Sequence, residues 1–409
     1  MTDMPDEHRQ PIELRHHDLG QRLAAEVLDP LKRTFVGKDE IIDLMGICLI
    51  GGENLFLLGP PGTAKSALVH ELGLRLQGRT FEYLLTRFTE PNEIFGPFDI
   101  GKLREGELVT NIRGMLPEAS LIFLDELLNA NSAILNSLLT VLNERVFRRG
   151  REVFRLPLLM AVGASNHLPE EEALAALFDR FLVRVRCDNI PDERLDEVLL
   201  AGWKLDLQMS PPPEEAAFSV DEASRLQACL PEVELAGARS AYVDLIKNLR
   251  KAGIPVSDRR AIKFQRLVAA SALICGRTQA AISDFWVLKY TWEREEQREV
   301  LAALVEGTIE KESAAAKDDG AGATRHPRSL SAELPDPESL AAELNELAEA
   351  AANATAAAPD NAADLGVLRD RLSILEERCQ WVQNATSRGF LQEKAAALWS
   401  AIGANEAED

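Results

Sequence analysis

The segment Gly59–Ser66, with the sequence GPPGTAKS, has the residue types of a phosphate-binding loop. The strict pattern places a second glycine directly before the Lys-Ser pair, and Ala64 occupies that position here. The apolar run Asn54–Leu58 precedes the segment and a helical pattern, Ser66–Leu76, follows it. This strand-loop-helix context is the one in which backbone N–H groups and a helix start bind the phosphates of a nucleotide.

Within this segment, we expect Lys65 to contact the β- and γ-phosphates and Ser66 to ligate Mg²⁺. We expect Ala64 to have helical φ and ψ, so that the unusual dihedral angles fall before it and its methyl group costs little. The alternative is a tight Gly/Pro turn without a ligand, which a Lys-Ser pair at a helix start disfavours. The residues assigned to nucleotide contact are Gly59, Pro60, Pro61, Gly62, Thr63, Ala64, Lys65, Ser66 and Ala67.

Two adjacent acidic residues, Asp125 and Glu126, follow the apolar run Leu121–Leu124. A buried strand would deliver both carboxylates to the carboxyl edge of a parallel sheet, where open α/β folds bind ligands. Asp125 is expected in the magnesium shell with Ser66, and Glu126 is expected to polarise the attacking water. An Asp-Glu pair after a strand is common by itself, and the phosphate-binding segment is what gives it weight.

Three further sites carry polar residues that suit the same chemistry. Asn166 ends an apolar run and is placed to position the water beside the γ-phosphate, although an ordinary turn residue is the alternative. Arg180 either forms a surface salt bridge or reaches a phosphate on a neighbouring subunit. Ser257 is predicted to cap a helix, and Arg259 or Arg260 after it is expected to fold over the nucleotide.

The elements that must position these residues follow an α/β pattern in residues 1–190. Short apolar runs alternate with amphipathic stretches, which predicts a parallel sheet with helices on both faces. Between residues 191 and 312 the strand signals fade, and helical periodicity predicts an all-α lid domain. The predicted strands are Asn54–Leu58, Phe81–Leu85, Leu121–Leu124 and Pro157–Val162.

The last quarter of the chain has a different composition. Residues 313–337 are rich in Ala, Gly, Pro and Asp, which predicts a flexible linker. Residues 338–409 are predicted to form a helical extension, a plain bundle in preference to a coiled coil. The apolar positions with helical spacing are Leu340, Leu344, Leu347, Leu365, Leu368, Leu372, Leu375, Cys379 and Val382.

Composition and charge exclude several classes of protein. The formal net charge of −21 argues against a whole-surface nucleic-acid binder, although a small basic channel remains compatible with it. The five cysteines are scattered without a Cys-x-x-Cys motif, which favours reduced thiols in a cytoplasmic protein over disulfides or a zinc site. The charged N-terminal residues 1–18 do not resemble a signal peptide. No apolar run approaches the roughly 18–20 residues of a membrane helix, so no membrane insertion is expected.

The order of these motifs resembles that of an AAA+ ATPase of the MoxR family, in its RavA-like branch. The stretches that carry the resemblance are GPPGTAKS, FEYLLTRFTEPNEIFGPFDIGKLREGELV, GMLPEASLIFLDELLNANSAILNSLLTVLNERVFRRG, GASNHLPE and FDRFLVRV. The resemblance covers roughly residues 18–270, and in this family the loop reads GPPGxAKS, with Ala in the position of Ala64. It implies a hexameric ring that hydrolyses Mg-ATP and remodels or activates partner proteins together with a von Willebrand factor A domain protein.

The resemblance also implies roles for individual residues. Lys65 and Ser66 match the Walker A motif, and Asp125 and Glu126 match the Walker B motif. The remaining assignments are Asn166 as sensor 1, Arg180 as an arginine finger donated in trans, Arg259 as sensor 2, and Val36 with Gly37 at the adenine. The C-terminal third departs from the RavA-like pattern, because its sequence predicts helices where that branch has a small β-rich domain.

Two segments resemble hairpins that face the central pore in this family. Residues 96–117 have a polar turn, Lys102–Glu107, between extended runs, and residues 145–156 alternate around Arg149-Gly150-Arg151. Ordinary surface hairpins are the alternative. The second segment contains the basic cluster Arg145, Arg148, Arg149, Arg151 and Arg155. Two other functions remain open at this point: a nucleotide-dependent binding switch, and a defence-system NTPase component with nucleic-acid contact.

Overall fold

The computed structural model describes residues 19–169, 172–191, 194–207, 218–319, 328, 337–356, 368, 372, 375–376, 379 and 385–403. The chain divides into two compact units, with the boundary between Val305 and Glu306. Four features of the sequence prediction lie outside the described residues: the N-terminal residues 1–18, the linker residues 320–327 and 329–336, Leu365 and Val382. Within the described part of the chain, no helix has the length and apolar composition needed to cross a membrane.

The first unit contains a five-stranded parallel sheet with the spatial order β2-β3-β6-β1-β7. Strands β1, β3 and β6 are buried along almost their whole length, which explains their uninterrupted apolar sequences. The strands of this sheet are β1 Leu55–Leu58, β2 Thr80–Leu84, β3 Leu121–Asp125, β6 Met160–Ser165 and β7 Val183–Arg186.

The predicted strands do not include β7, whose sequence VRVR places arginines at alternate positions. Arg184 points into the interior and is almost fully buried. Its guanidinium donates to the carbonyl oxygens of Trp292 and Phe178 and lies over the Phe178 ring. These acceptors compensate the burial of a charge that sequence reasoning assigns to the surface.

The segment 145–156 forms the expected antiparallel hairpin, with β4 Val146–Arg149 paired to β5 Glu152–Arg155. The other segment, residues 96–117, differs from the expected extended hairpin. Its two legs touch at one antiparallel bridge, Phe98 to Thr110, and its tip contains a short helix, Ile100–Arg104. Asp99 causes this difference, since its side chain accepts from the N–H groups of Gly101 and Lys102 and so starts a helix.

Helices cover both faces of the sheet, and the last helix of this series extends past Val305, where the first unit ends. A π-helical turn, Ala24–Leu28, leads into the first helix, and 3₁₀ turns lie at Leu116–Glu118, Leu127–Asn129, Leu230–Glu232 and Ile282–Tyr290. The helices are α1 Asp29–Thr34, α2 Asp39–Gly51, α3 Lys65–Arg75, α4 Pro91–Phe95, α5 Ile100–Arg104, α6 Ser132–Glu144, α7 Glu172–Phe178, α8 Leu195–Leu207, α9 Val220–Cys229, α10 Arg239–Lys251, α11 Asp258–Ile274 and α12 Gln297–Asp319.

Helix α11 packs on α2, and α9 also contacts α2. The predicted lid residues up to Val305 therefore belong to the same compact unit as the sheet, whereas residues 306–312 fall in the second unit. The division at residue 190 stays a prediction. Helix α12 continues to Asp319, so the first residues of the predicted linker, 313–319, are helical. Their sequence SAAAKDD explains this, because Ala and Lys favour helix.

The second unit contains two long helices, α13 Pro337–Ala356 and α14 Ala385–Gly403. They share one apolar cluster, which buries most of the leucines that the helical spacing singled out. The described members of the predicted set, all in this cluster, are Leu340, Leu344, Leu347, Leu368, Leu372, Leu375 and Cys379.

Candidate active site

The phosphate-loop candidate connects the end of β1 to the start of α3. Its first residue, Gly59, donates its N–H to the carbonyl of Ser165 over 3.0 Å. A Cβ atom on Gly59 would lie 2.2 Å from the carbonyl oxygen of Cys187, so the close approach of two backbones requires glycine here. Gly62 has a φ of 83°, and a Cβ atom there would meet nothing within 4 Å. The inner side of the loop is thus packed, and its outer side is open.

Ala64 adopts the left-handed conformation, with φ 65° and ψ 24°, directly before the first residue of α3. The expectation that Ala64 has helical dihedral angles is therefore wrong. The chain reverses direction immediately before the helix, so the strained position falls at residue 64 itself. A left-handed alanine costs about 1–2 kcal/mol. The alanine methyl group also offers no cap to the first N–H groups of α3, which leaves them for a ligand.

Lys65 is buried within the loop, where its ammonium group donates to two backbone carbonyls. The acceptors are the oxygens of Gly59, at 2.9 Å, and Pro60, at 2.7 Å. Thr63 closes the same turn, because its hydroxyl donates to the Pro60 carbonyl over 3.0 Å. The Lys65 side chain thus lies in the hollow of the loop with a positive charge that two neutral acceptors only partly satisfy.

The two carboxylates lie at the carboxyl end of β3, as the sequence predicted. Asp125 ends the strand, and its Oδ1 accepts from the Glu126 N–H over 2.9 Å. Glu126 is left-handed, with φ 50°, which turns its side chain away from the strand direction. Asn129, a residue that sequence reasoning missed, donates from Nδ2 to Glu126 Oε2 over 3.2 Å. Each half-buried carboxylate is held through one oxygen, which leaves the other for a ligand.

Asn166 follows the last residue of β6 and is exposed. Strand β6 lies between β3 and β1, and Ser165 pairs in register with Leu58. Neighbouring strands are about 4.8 Å apart, so Asn166 lies between the Asp125-Glu126 pair and the phosphate-loop candidate at one edge of the sheet. The sequence showed that Asn166 ends a strand but not the strand order that brings these groups together.

Val36 and Gly37 precede α2 and lie near the same edge. A Cβ atom on Gly37 would lie 2.7 Å from Ile190 Cδ1, and Lys38 donates to the Asp188 carbonyl over 2.6 Å. The segment 187–190 thus contacts residues 37 and 38 on one side. It contacts the loop on the other, where the Cys187 thiol donates to the Thr63 carbonyl over 3.3 Å. No motif in the sequence indicates a role for this segment, because Cys187 resembles an ordinary buried thiol.

Arg180 lies at the opposite, amino edge of the sheet. It precedes β7, and its carbonyl accepts from Asn54, which directly precedes β1, over 2.9 Å. Strand β1 has four residues, so about 13 Å separate this edge from the phosphate-loop candidate. The half-buried Arg180 side chain forms an ion pair with Asp179, with 3.1 Å between Nη1 and Oδ2. The salt bridge that sequence reasoning gave as an alternative is therefore present.

Ser257 caps α11 as expected, accepting from the Arg260 N–H over 3.2 Å. Arg260 is buried, pairs with Glu293 and donates to the Thr291 carbonyl, and burial lowers the pKa of its guanidinium. Arg259 is exposed instead. It lines a cleft of about 160 Å³ at the amino edge, together with Asp179, Arg180, Leu182, Pro255, Ser257, Arg260, Lys263 and Glu293.

Helix α11 is fixed at this amino edge by a further ion pair. Lys263 contacts Glu53, two residues before β1, with 2.6 Å between Nζ and Oε2. Arg259 thus lies beside Arg180 and does not fold over the loop of its own chain. Of the two arginines between which the sequence could not choose, Arg259 is the one with an exposed side chain.

The segments 96–117 and 145–156 contact each other through Arg149 and Glu152, the cross-strand pair that flanks the β4–β5 turn. Arg149 donates to the Gly96 carbonyl over 2.6 Å and lies 3.8 Å from the centre of the Phe98 ring. Its cross-strand partner Glu152 accepts from the Thr110 hydroxyl over 2.7 Å. One residue therefore holds the first leg of segment 96–117 and the other holds the second leg.

Comparison with known proteins identifies the family. The sequence model of the MoxR domain in MoxR-vWA-beta-propeller ternary systems matches residues 21–228. An AAA lid domain matches residues 241–305.

Three proteins illustrate the similarity. An uncharacterized protein of Methanocaldococcus jannaschii is 36% identical over 266 residues, which cover 65% of this chain and 68% of that protein. The chaperone MoxR1 of Mycobacterium tuberculosis is 28% identical over 216 residues, 50% of this chain and 55% of that one. A crystal structure of a protein assigned as an ATPase, from Cytophaga hutchinsonii, superimposes with a TM-score of 0.59 at 18% identity. It covers 73% of this chain and 96% of its own, and it supports the fold alone.

The loop, the paired carboxylates and the strand-ending asparagine at one edge of a parallel sheet agree with these matches, and the chain belongs to the MoxR family of AAA+ ATPases.

Proposed function

We propose that this chain hydrolyses Mg-ATP at sites shared between neighbouring copies in a ring, expected to be a hexamer. The division of the candidate residues between two edges of one sheet carries this proposal. The loop, Asp125, Glu126 and Asn166 lie at the carboxyl edge, whereas Arg180 and Arg259 lie at the amino edge, about 13 Å away. The two sets in one chain do not converge on one nucleotide. A complete site therefore needs the loop of one copy and the arginines of the next.

The carboxyl edge fits a nucleoside triphosphate. The outer side of the loop is open at Gly62, and Ala64 provides no side-chain cap to the first N–H groups of α3, so a phosphate can accept from them. Lys65 needs only to exchange two carbonyl acceptors for phosphate oxygens, which are stronger acceptors for an ammonium group. We assign Val36 and Gly37, which lie beside the segment 187–190, to contact with the adenine ring.

The same edge fits Mg²⁺, because its donors are oxygen atoms only. The Ser66 hydroxyl at the start of α3 and the Asp125 carboxylate at the end of β3 are the ligand types that Mg²⁺ takes alongside phosphate and water. When bound, the metal would neutralise phosphate charge. We assign Ser66 and Asp125 to its shell.

For hydrolysis, we assign Glu126 to accept the proton of the attacking water and Asn166 to orient that water. Both residues follow neighbouring strands, so their side chains extend from the same sheet edge. Arg180 and Arg259 of the adjacent copy would balance the charge that develops on the transferred phosphoryl group. Arginines of this kind accelerate hydrolysis by about 10³–10⁵. Turnover should therefore depend on assembly.

We infer that hydrolysis remodels or activates a partner protein, and that a von Willebrand factor A domain protein belongs to the same system. The family description, which names MoxR-vWA-beta-propeller ternary systems, supports this inference, as does the similarity to the chaperone MoxR1. The joined hairpins offer a contact surface, since Ile100, Leu103 and Leu108 on segment 96–117 are apolar and exposed. The RavA-like branch remains a prediction.

The basic cluster of the β4–β5 hairpin gives little support to a nucleic-acid function. Three of its members have partners within the protein: Arg145 with the Gly52 carbonyl, Arg148 with Glu144, and Arg149 with segment 96–117. A phosphate backbone would have to replace these contacts, and the net charge of −21 opposes its approach. A protein partner is the function that the surface favours.

The test is the steady-state ATPase rate of the purified chain as a function of protein concentration. We expect turnover per chain to rise with concentration as copies assemble, and Glu126→Gln to remove turnover while ATP binding persists. Undetectable turnover at every concentration, alone and with a co-purified von Willebrand factor A protein, would overturn the proposal.

A further inference from the structure

The cleft at the amino edge contains an ionic network that the sequence did not indicate. Asp179 contacts two arginines at once, because its Oδ2 lies 3.1 Å from Arg180 Nη1 and its Oδ1 lies 3.6 Å from Arg260 Nη1. Asp179 is about half exposed, whereas the Arg260 side chain is 8% exposed. A surface carboxylate thus joins the half-buried Arg180, the candidate arginine finger, to the buried cation of Arg260.

Arg260 connects this carboxylate to a third part of the chain. It pairs with Glu293 and donates to the Thr291 carbonyl over 2.5 Å, both in the segment between the last 3₁₀ turn and α12. Arg184 donates to Trp292 in the same segment and to the Phe178 carbonyl, at the end of α7, over 3.0 Å. The end of α7, the start of α11 and residues 291–293 are therefore tied together by buried arginines.

The network determines where Arg180 and Arg259 project from the cleft. Arg180 follows Asp179 in the chain, and Arg259 precedes Arg260 in the first turn of α11. Because Arg260 is anchored by its side chain and by the Ser257 cap, the backbone at Arg259 is fixed relative to α7. Burial lowers the pKa of Arg184 to about 9, and the positive charge of Arg260 lowers it further.

We propose that Asp179 and Arg260 are positioning residues that hold Arg180 and Arg259 as one two-arginine unit for the nucleotide of the adjacent subunit. This inference rests on the proposed function, because it assigns the two arginines to a shared site. In the free chain, Asp179 restricts the Arg180 guanidinium to the cleft. When a phosphate takes Arg180, Asp179 keeps a partner in Arg260, so the carboxylate is not left without a cation.

A purely structural role is the competing explanation, and the energetics of the contacts separate the two. The Asp179–Arg180 contact is a partly exposed ion pair, which contributes little to stability. Asp179→Asn keeps the shape of the side chain and removes its charge. If the contact served only folding, this variant would change the melting temperature slightly and leave catalysis unaltered. If the contact positions Arg180, the variant changes kcat.

The experiment measures kcat, KM for ATP, nucleotide affinity and melting temperature for the full chain and its variants. We expect Asp179→Asn to lower kcat by about tenfold, with affinity for a fluorescent ATP analogue unchanged, because the loop lies at the other edge. The matched control is Asp244→Asn on α10, which removes an exposed carboxylate that pairs with Lys247 at 3.2 Å. The control should leave kcat at the wild-type value.

Two further variants test the connection through Arg260. In a double-mutant cycle, Asp179→Asn should lower kcat little further when Arg180→Ala is already present, because both changes remove the same interaction. The Arg260→Lys variant should fold but retain only part of the wild-type kcat. An ammonium group cannot contact Asp179, Glu293 and Thr291 in the geometry of a guanidinium group. Should Arg260→Lys be unstable, Glu293→Gln probes the same link with an uncharged residue of equal size.

The outcomes separate this inference from the proposed function. An inactive wild-type chain would contradict the proposed function itself. An active wild type with an inactive Arg180→Ala variant, but with wild-type kcat for Asp179→Asn, would overturn only the positioning role. Additive losses in the double-mutant cycle would overturn it as well.

Discussion

At the carboxyl edge of the sheet, backbone contacts hold the phosphate-loop candidate, whereas at the amino edge ion pairs hold Arg180 and Arg260. Gly59 packs on the Cys187 carbonyl, and Lys65 donates to carbonyls five and six residues away. Arg180 and Arg260 instead depend on Asp179 and Glu293, and the Arg260–Glu293 pair spans 33 residues of sequence. One half of the site is thus held mainly by contacts to neutral backbone groups, and the other mainly by pairs of charged side chains.

This difference implies different consequences of mutation. Substitutions at the carboxyl edge should act on nucleotide binding, because the loop contacts the ligand within its own chain. Substitutions at the amino edge should act on turnover and leave binding intact, because those side chains reach a nucleotide held by another copy. The following predictions test that separation, beginning with the largest expected effect.

Lys65→Ala should abolish nucleotide binding. The variant removes the only ammonium group of the loop, whose charge-assisted contacts to phosphate we expect to be worth a factor of roughly 100 or more in affinity. Titration with a fluorescent ATP analogue measures the effect, and the melting temperature of the variant controls for folding. Binding within tenfold of wild type would show that the phosphates lie elsewhere.

Arg180→Ala should lower kcat by about 10³ and leave nucleotide affinity within twofold of wild type. The guanidinium is at the edge opposite the loop, so its loss removes charge stabilisation only at the site of the neighbouring copy. The control is Arg79→Ala, which removes an exposed arginine paired with Glu118. A parallel loss of affinity in Arg180→Ala would indicate that this arginine acts within its own chain.

Arg259→Ala should produce a smaller loss of kcat, about 10- to 100-fold, again without a change in affinity. Arg259 lines the same cleft as Arg180 but has no counterpart of the Asp179 contact among the described residues. Single-turnover measurements separate hydrolysis from product release. If nucleotide affinity fell while kcat stayed constant, Arg259 would be a binding residue of its own chain.

Ala64→Gly should have the smallest effect and a favourable one. Because Ala64 is left-handed, glycine relieves about 1 kcal/mol of strain and should raise the melting temperature slightly, with nucleotide affinity kept within a few-fold. Differential scanning calorimetry of the two proteins checks this expectation. A lower melting temperature would mean that the alanine methyl group makes a stabilising contact that outweighs the strain.

The sequence predicted most of the carboxyl edge because its signals are local. GPPGTAKS, the Asp-Glu pair and the strand-ending asparagine each lie next to the apolar run that positions them. The dihedral angles of Ala64 were the exception, since a motif gives residue types and not the residue at which the turn is strained. Asn129 and the segment 187–190 were missed because their roles depend on which strands become neighbours.

The amino edge was less predictable, because its contacts also depend on which segments become neighbours in the fold. FDRF and SDRR indicate arginines without indicating that α7 and α11 bring them together. Arg184 on β7 illustrates the difficulty, because a charge inside VRVR argues against a buried strand until its acceptors at residues 178 and 292 are known. Long-range ion pairs of this kind have no periodicity that a single sequence can show.

The central claim is that each site uses the loop of one copy and the arginines of another, and mixing two inactive variants tests it most directly. The Glu126→Gln variant keeps both arginines of the amino edge, and the Arg180→Ala variant keeps the whole carboxyl edge. An interface that takes its arginines from the first variant and its carboxyl edge from the second is therefore complete. We predict that each variant alone is inactive and that an equimolar mixture recovers turnover. If the two variants assemble at random, about a quarter of the interfaces have a complete site. A mixture that stays as inactive as its components, in spite of proven co-assembly, would contradict the shared site.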